Sequence, residues 1–347
     1  MPFKSSFKPF SLLVTGAPGW LCDAMLSRLG RALPALTRVR CLIQRGTPKD
    51  LVATWCATQS SVTEIIDGDL LDTASLEAAV ESMSGGVVFH AAATFQPKKI
   101  SDFNAVNRDG TLALAGLAKK AGVRRFIFIS STAAQGASQV AGHILTEAMP
   151  CRPDSHYGKS KHAAETGLML LHEPGKFDVV ILRPGPIYGL PVPAHHVELF
   201  RRIKQGRASL MGGGKFARSW SYINDVAAIA VTSLTHPDAA GEIFNVCDSL
   251  HYTQRYIYEA AAAALNVELE FRRVPHFAAS LARFTEKMHA KFDRYTSWIE
   301  VMGDQNRHTG MSSEKAQRVL GFSPQETPLE GLKSAVEWCY NNDLLDD

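Results

Sequence analysis

A chain of 347 residues with 46% hydrophobic and 20% charged side chains has the make-up of a soluble globular enzyme, either one large domain or a domain with a smaller lobe. The net charge of +3, carried by scattered lysines and arginines with no basic stripe, excludes nucleic acid as the main partner. The dispersed cysteines Cys22, Cys41, Cys56, Cys151, Cys247 and Cys339 form no CxxC pair and no metal-ligand spacing. They fit reduced thiols packed as small apolar groups, with no metal expected. No apolar run of about 18 residues occurs, so neither a signal peptide nor a membrane span is expected, and the cytoplasm is the expected compartment.

Strand and helix patterns alternate from the start. A short apolar run at Ser11–Thr15 leads into glycine-rich sequence and a helical pattern over Trp20–Leu33. Further strands are predicted at Val39–Ile43, Val62–Ile66, Gly86–Ala91, Arg125–Ser130 and Val179–Leu182, with helical spacing between them, for example at Leu112–Ala121. Buried apolar strands alternating with helices predict an α/β fold: a doubly wound parallel sheet of Rossmann type, covered on both faces. Beyond Arg183 the texture changes. Pro184, Pro186, Pro191 and Pro193 break up the chain, Gly212–Gly214 form a second glycine cluster, and Glu242–Val246 precedes a helical pattern at Gln254–Leu265. The expected division is a dinucleotide-binding domain over residues 1–183 and a smaller mixed α/β substrate lobe over 184–347, partly interleaved with the first.

The first strand runs directly into Gly16-Ala17-Pro18-Gly19-Trp20-Leu21-Cys22. Glycines here let the backbone turn tightly and approach a pyrophosphate at a helix N-terminus, where free N–H groups and the helix dipole favour negative charge. Gly16, Pro18, Gly19, Trp20 and Leu21 are therefore the predicted phosphate loop, with Cys22 at the position a third glycine would take. An acidic residue at the end of the second strand would bind a ribose 2′-hydroxyl. This chain has Gln44 and Arg45 there, with Arg40 nearby, and no carboxylate. A 2′-phosphate fits better, so NADP is favoured over NAD, the competing reading being a solvated Arg45. Asp69, with Leu70 beside it, follows the third strand, placed either to accept from the adenine amino group or to cap its own loop.

Tyr157 and Lys161 are spaced to share one face of a helix. A phenol is a poor base at neutral pH. An ammonium about 4 Å away would stabilise phenolate by roughly 4 kcal/mol at intermediate dielectric, or about three pKa units. Such a phenol can exchange a proton with a substrate hydroxyl or carbonyl during hydride transfer. The fifth predicted strand ends in Ser130-Ser131-Thr132, where the carboxyl ends of parallel strands deliver ligand-binding groups. Ser131 is the candidate to hold the reacting oxygen, with Thr132 as its alternative.

With these residues in view, the chain resembles the extended short-chain dehydrogenase/reductase family. The matching stretches come in the family's order: TGAPGWLC, GDLLD, HAAA, Asn107 with Gly110-Thr111, FIFISST, YGKSK, RPGPIYG and YINDVA. The resemblance spans Leu12 to Trp338. It implies a Ser131–Tyr157–Lys161 triad, with Lys161 also holding the ribose, and Asn107 supporting a water near the lysine. It further implies that His90, Ala91, Ala92 and Ala93 line the cofactor and that Arg183–Pro186, Pro184 included, pass beside the nicotinamide. Sugar dehydratases of the family carry an acidic residue after the active hydroxyl, where this chain has Thr132-Ala133-Ala134, and epimerases often carry asparagine in the segment matching Pro186. Together with the long apolar insertion at Phe271–Trp298, these departures bring the chain closest to the 3β-hydroxysteroid dehydrogenase-like ketoreductase branch, some members of which associate with membranes. An amphipathic helix near Phe277–Phe292 is expected, as a cap on an apolar pocket or as lobe packing. Arg218 dissents, matching an arginine that sugar enzymes of the family place on a diphosphate.

The expectation is an NAD(P)-dependent oxidoreductase interconverting a secondary alcohol and a ketone on a mostly apolar small molecule. The alternatives are a nucleotide-sugar epimerase with tightly bound NAD and a non-catalytic dinucleotide-binding regulator. The resemblance also implies a homodimer through Asn107–Lys120 and Tyr157–Leu171. The spacing of His195, His196 and Glu198 fits no usual metal site. His143 and His156 sit near the catalytic segment as loop histidines or substrate contacts.

Overall fold

The computed structural model describes residues 9–33, 35–138, 140, 142–207, 209–211, 214–248, 250–274, 281–282, 284–285, 288–296, 307–325 and 327–345. In chain order, β1 (Phe10–Ala17), α1 (Trp20–Ala32), β2 (Leu36–Gln44), α2 (Lys49–Thr58), β3 (Val62–Gly68), α3 (Thr73–Val80) and β4 (Val87–His90) alternate. Then α4 (Ser101–Asn104), a π-helical stretch at Ala105–Gly110 and α5 (Thr111–Lys120) follow without a break, leading to β5 (Arg125–Ile129), α6 (His156–Leu171) and β6 (Asp178–Pro184). Beyond lie β7 (Ile187–Tyr188), α7 (Ala194–Lys204), β8 (Ser209–Met211), β9 (Ala217–Arg218), β10 (Ser221–Tyr222) and α8 (Ile223–Thr235). The chain continues through β11 (Ile243–Val246), β12 (Tyr252–Thr253), α9 (Gln254–Ala264), β13 (Arg272–Val274), α10 (Glu314–Leu320) and α11 (Pro328–Asn341).

Seven strands form one parallel sheet in the order β3-β2-β1-β4-β5-β6-β11. The predicted Rossmann-type α/β architecture is the observed one. The order reverses beside β1, which has β2 on one side and β4 on the other, and such a switch point opens a crevice at the carboxyl ends of the strands. β11, expected within the lobe, instead extends the main sheet, pairing Ile243–Val246 with Ile181–Pro184.

The helices cover both faces because each presents an apolar stripe. On α1, Cys22, Met25, Leu26 and Leu29 are buried at helical spacing. They join Val14, Ile43, Phe89 and residues of α8 (Val226, Ile229, Ala230, Leu234) in one core. On the opposite face Leu13, Val88, Phe126 and Phe128 pack with Leu114 of α5 and Leu168 of α6. A third core, including Phe200 of α7, Ile257 and Ala261 of α9 and Val336 of α11, holds the lobe together. Arg125, buried at the start of β5, donates from Nη1 to the carbonyls of Ser233 (3.0 Å) and His236 (2.8 Å) and pairs with Asp178 at 3.4 Å. A cation there satisfies carbonyls that the end of α8 leaves open.

Of the expected amphipathic helix, residues 277–280, 283, 286 and 287 lie outside the described residues, as do Gly212 and Gly213 of the second glycine cluster. Residues 281–282, 284–285 and 288–290 are helical. Ala282 is buried there, whereas Leu281, Phe284, Met288 and Phe292 are exposed. All six cysteines are free, and no helix among the described residues is long and apolar enough to cross a membrane.

Candidate active site

The carboxyl ends of β1, β4, β5 and β6 carry the predicted residues Gly16–Leu21, Ala91–Ala93, Ser131 and Pro184 along the crevice. At the end of β1, Gly16 has φ +94°, and a Cβ there would stand 2.7 Å from the Ala92 nitrogen and 2.8 Å from the Ala91 carbonyl carbon. Only glycine lets the turn pass this close to the end of β4. Gly19 closes the turn by donating its N–H to the Gly16 carbonyl at 2.8 Å and serves as N-cap of α1. The helix N-terminus thus faces a cradle of main chain that a side chain would fill, which fits a pyrophosphate. Gly16→Ala is expected to weaken dinucleotide binding by about tenfold or more and to lower stability by about 1–3 kcal/mol. Calorimetric titration and thermal unfolding check both.

The other residues predicted to meet the cofactor divide. Gln44 ends β2 and is exposed. Arg45, also largely exposed, donates to Asp72 Oδ2 at 3.0 Å and Ser75 Oγ at 3.3 Å. Arg40 does not join it. Its buried guanidinium grips Glu64 on β3 with two bonds of 2.8 and 2.9 Å and donates to the carbonyls of Ala79 and Glu81, so it braces the sheet. Asp69 Oδ1 accepts the Leu71 N–H at 2.8 Å, the loop-capping arrangement. Cys22 is buried and its thiol reaches the Thr15 carbonyl at 3.5 Å, occupying the small space against β1.

Ala91, Ala92 and Ala93 follow β4, whose last residue organises the strand ends. His90 bonds Thr15 Oγ1 through Nδ1 at 2.6 Å and Thr111 Oγ1 through Nε2 at 2.8 Å. Burial, with the Lys161 charge adding to it, pulls its pKa down to about 3, so the ring stays neutral. Asn107, in the π-helical stretch, accepts the Thr94 N–H (2.8 Å) and donates to the Thr94 carbonyl (2.9 Å) and Ser160 Oγ (3.0 Å). It ties the loop after β4 to α6.

Ser155 caps α6 by accepting the Gly158 N–H at 2.9 Å, which sets Tyr157 in the first turn and Lys161 one turn on. A Cβ at Gly158 would collide with the Ala133 carbonyl, so glycine allows α6 to meet the turn at Thr132–Ala134. That contact delivers Ser131 to the side of Tyr157, and the Ser131 hydroxyl itself accepts the Ala133 N–H at 3.1 Å. Thr132, the alternative, is buried inside the turn. Burial raises the Tyr157 pKa above its ordinary value, and the neighbouring Ser131 hydroxyl opposes the rise. Lys161 is also buried. Its Nζ donates to the Ile129 carbonyl at 2.6 Å and lies 4.2 Å above the Phe128 ring. Burial pushes its pKa down to about 7 against the pull of Glu165. The expected lowering of the phenol by an adjacent ammonium is therefore not what this geometry produces: the amine is held by β5, and burial dominates at Tyr157.

Beneath the triad, Arg183 of β6 clasps Glu165 of α6 with bonds of 2.8 and 2.6 Å, while Ser130 Oγ donates to the same carboxylate at 2.5 Å. Cys151, His162 and Glu165 offer ligand atoms within 4.8 Å of one another, yet Glu165 already faces a guanidinium. Pro184 ends β6 beside Val246, and the Pro186 carbonyl accepts the Ser221 N–H at 3.0 Å. Arg218 lies on β9, bridged to Thr309. Two residues earlier, Arg307 pairs with Asp154 at the approach to α6. His196 of α7 packs edge-on to Trp20 at 6.2 Å, bringing the lobe onto the phosphate loop. His156 opens α6, its pKa lowered by burial and then by Lys159.

Three aromatic residues around Tyr157 went unnoticed in the sequence. Phe95 (6.2 Å) and Phe103 (6.3 Å) meet its ring edge-on, and Tyr295 meets Phe103 at 4.9 Å. Phe95 directly follows the HAAA-Thr run, a position that could have been singled out. Tyr295 is distant in sequence and carries no such mark.

Comparison with known proteins agrees with this fold. A UDP-glucose 4-epimerase of Vibrio cholerae is 27% identical over 95% of each chain. A 4-hydroxy-2-methyl-3-oxo-4-farnesyl-3,4-dihydroquinoline-1-oxide ketoreductase of Stigmatella aurantiaca is 24% identical over 92% of this chain and 93% of its own. The crystal structure of a short-chain dehydrogenase/reductase superfamily protein from Agrobacterium tumefaciens with bound NAD superposes with a TM-score of 0.73 at 22% identity, covering 96% of this chain and 98% of that one. The model of the NAD dependent epimerase/dehydratase family matches residues 12–247, and the chain belongs to that family.

Proposed function

We propose that the protein is an oxidoreductase that interconverts a secondary alcohol and a ketone on a mostly apolar small molecule. The observation that carries this reading is the placement of Tyr157 beside Ser131 at the end of β5, with the rings of Phe95 and Phe103 edge-on to its own. The bound nicotinamide supplies the hydride donor or acceptor. Ser131 Oγ orients the substrate oxygen, and the Tyr157 hydroxyl gives that oxygen its proton on reduction, while the Tyr157 phenolate takes the proton on oxidation. Lys161 stands one turn along, where an amine that titrates near pH 7 lies close to the operating pH. The likeness to a ketoreductase with a farnesylated substrate supports the apolar class. The test is loss of reduced-nicotinamide absorbance with a panel of ketones. If NAD copurifies and no ketone consumes reduced cofactor, the reductase reading falls.

A second reading, epimerisation of a nucleotide sugar, is favoured by one feature. Arg218 and Arg307 lie on adjoining segments on the lobe side of the site, and guanidinium groups suit bidentate contacts to a diphosphate. It predicts turnover of a nucleotide sugar with no net consumption of NADH.

We further propose NADP as the preferred cofactor. No carboxylate ends β2, and the Arg45–Asp72 pair, exposed on the Arg45 side, is a weak surface ion pair, so the guanidinium can be drawn to a 2′-phosphate. Arg45→Ala is expected to weaken NADPH binding about tenfold or more while NADH binding stays within about twofold, read by fluorescence titration. Equal losses for both cofactors would remove Arg45 from this role.

A further inference from the structure

We infer that Phe95 and Tyr295 set the choice of substrate: Phe95 is the apolar surface met beside Tyr157, and Tyr295 is the positioning residue that holds that surface in place. The inference rests on the reading of an apolar alcohol or ketone as substrate and names the residues that select it.

Phe95 combines two properties that seldom coincide. Its side chain is 63% exposed, yet its backbone is held from both sides. On one side Asn107 fixes both the N–H and the carbonyl of Thr94. On the other, the Tyr295 hydroxyl donates to the Phe95 carbonyl at 3.3 Å. A single exposed phenylalanine on a surface needs no explanation. One whose main chain is pinned and whose ring stands edge-on to the proton-transferring phenol is a fixed apolar wall.

The strap that carries Tyr295 is itself anchored. Both carboxylate oxygens of Asp293 accept from one residue at the start of α4, Ser101, from its N–H at 2.7 Å and its hydroxyl at 2.6 Å. The Tyr295 N–H reaches the Lys98 carbonyl at 3.3 Å, and its ring packs edge-on to Phe103 at 4.9 Å. Phe103, fully buried, passes that contact on to Tyr157. A segment almost 200 residues further along the chain thus closes on the loop after β4 at several points, and the rings it organises around Tyr157 carry no charge. Such a wall favours a substrate with hydrocarbon next to its reacting carbon, because burying each methylene there gains affinity that a hydrated sugar does not.

The test uses the holoenzyme and the methyl ketones from 2-butanone to 2-decanone, with turnover followed by nicotinamide absorbance and binding followed separately by saturation-transfer NMR. In the wild type, affinity is expected to rise roughly threefold to fourfold per added methylene. In Phe95→Ala the rise should fall below about twofold per methylene, with the loss for 2-octanone falling on KM rather than on kcat. Tyr295→Phe, which keeps the ring and removes the bond to the Phe95 carbonyl, should flatten the series partway. Dinucleotide affinity and the melting temperature serve as folding controls. Turnover of the ketones with the same chain-length dependence in all three proteins overturns the inference and leaves the proposed function standing. Ketones that bind with a dependence lost in Phe95→Ala, but are never reduced, overturn the proposed function and uphold the wall. Absence of ketone binding in the wild type overturns both.

Discussion

Tyr157→Phe should lower kcat by about two to four orders of magnitude while leaving dinucleotide affinity within about twofold. The substitution removes one oxygen. The ring keeps its packing against Phe95 and Phe103, and the phosphate cradle around Gly16 lies on a different strand, so cofactor binding has no reason to change. What is lost is the group proposed to exchange a proton with the substrate oxygen beside Ser131. Single-turnover kinetics alongside a binding titration separate the two effects. Activity retained in the variant would move the proton to another donor and dissolve the role given to Tyr157.

Lys161→Met should act in opposite directions on catalysis and stability. Burial holds the folded-state pKa of Lys161 near 7, against 10.5 for the free side chain. Between about pH 7 and 10.5 the unfolded chain therefore binds more protons than the folded one, so stability contributed at this position falls as the pH drops through that window and levels off below 7. The full span is on the order of 5 kcal/mol at most. Methionine fills the stem's place without the amine and forfeits the bond to the Ile129 carbonyl and the contact of the ammonium with the Phe128 ring, smaller contributions. In cofactor-free protein the variant should be the more stable of the two at pH 7, and the difference should shrink or reverse as the pH rises to 10. Denaturant unfolding across that range reads it directly. A variant less stable by the same amount at every pH would mean that Lys161 serves the fold through packing alone. Turnover should be lost in either case.

Much of this architecture is local enough to be legible. The run from β1 into Gly16-Ala17-Pro18-Gly19, the apolar strands and the helical spacing of Tyr157 and Lys161 each depend on neighbours within a turn or two. Four strands were read short, by up to three residues at one end as at Leu36 of β2, because pairing in register carries a strand past its most apolar stretch. β4 was read one residue too far at both ends and β5 at its carboxyl end. The misreadings are all non-local. Arg40 looked like part of a basic strand end until Glu64, on the neighbouring strand, claimed it. β11 read as part of the lobe because nothing in Ile243–Val246 announces that its partner is β6. The ammonium–phenol pair was inferred from spacing, whereas the orientation of Lys161 is set by the Ile129 carbonyl of another element. The aromatic wall is the extreme case, assembled from residues 95, 103 and 295.

The return of α8 and β11 to the first domain bears on how this protein can be recombined with its relatives. A cut at Arg183, natural on the sequence, would strip β6 of its outer neighbour and leave Arg125 without the helix end it caps. A chimera that grafts another family member's specificity onto this chain should carry over the short elements between Gly185 and Tyr222 and the lobe segments after Asp248, while residues 223–246 and α10, whose Ala316 and Leu320 pack into the core of α1 and α8, stay with the host. The boundary of the exchangeable module is drawn by which core a helix packs into, not by where it falls along the chain.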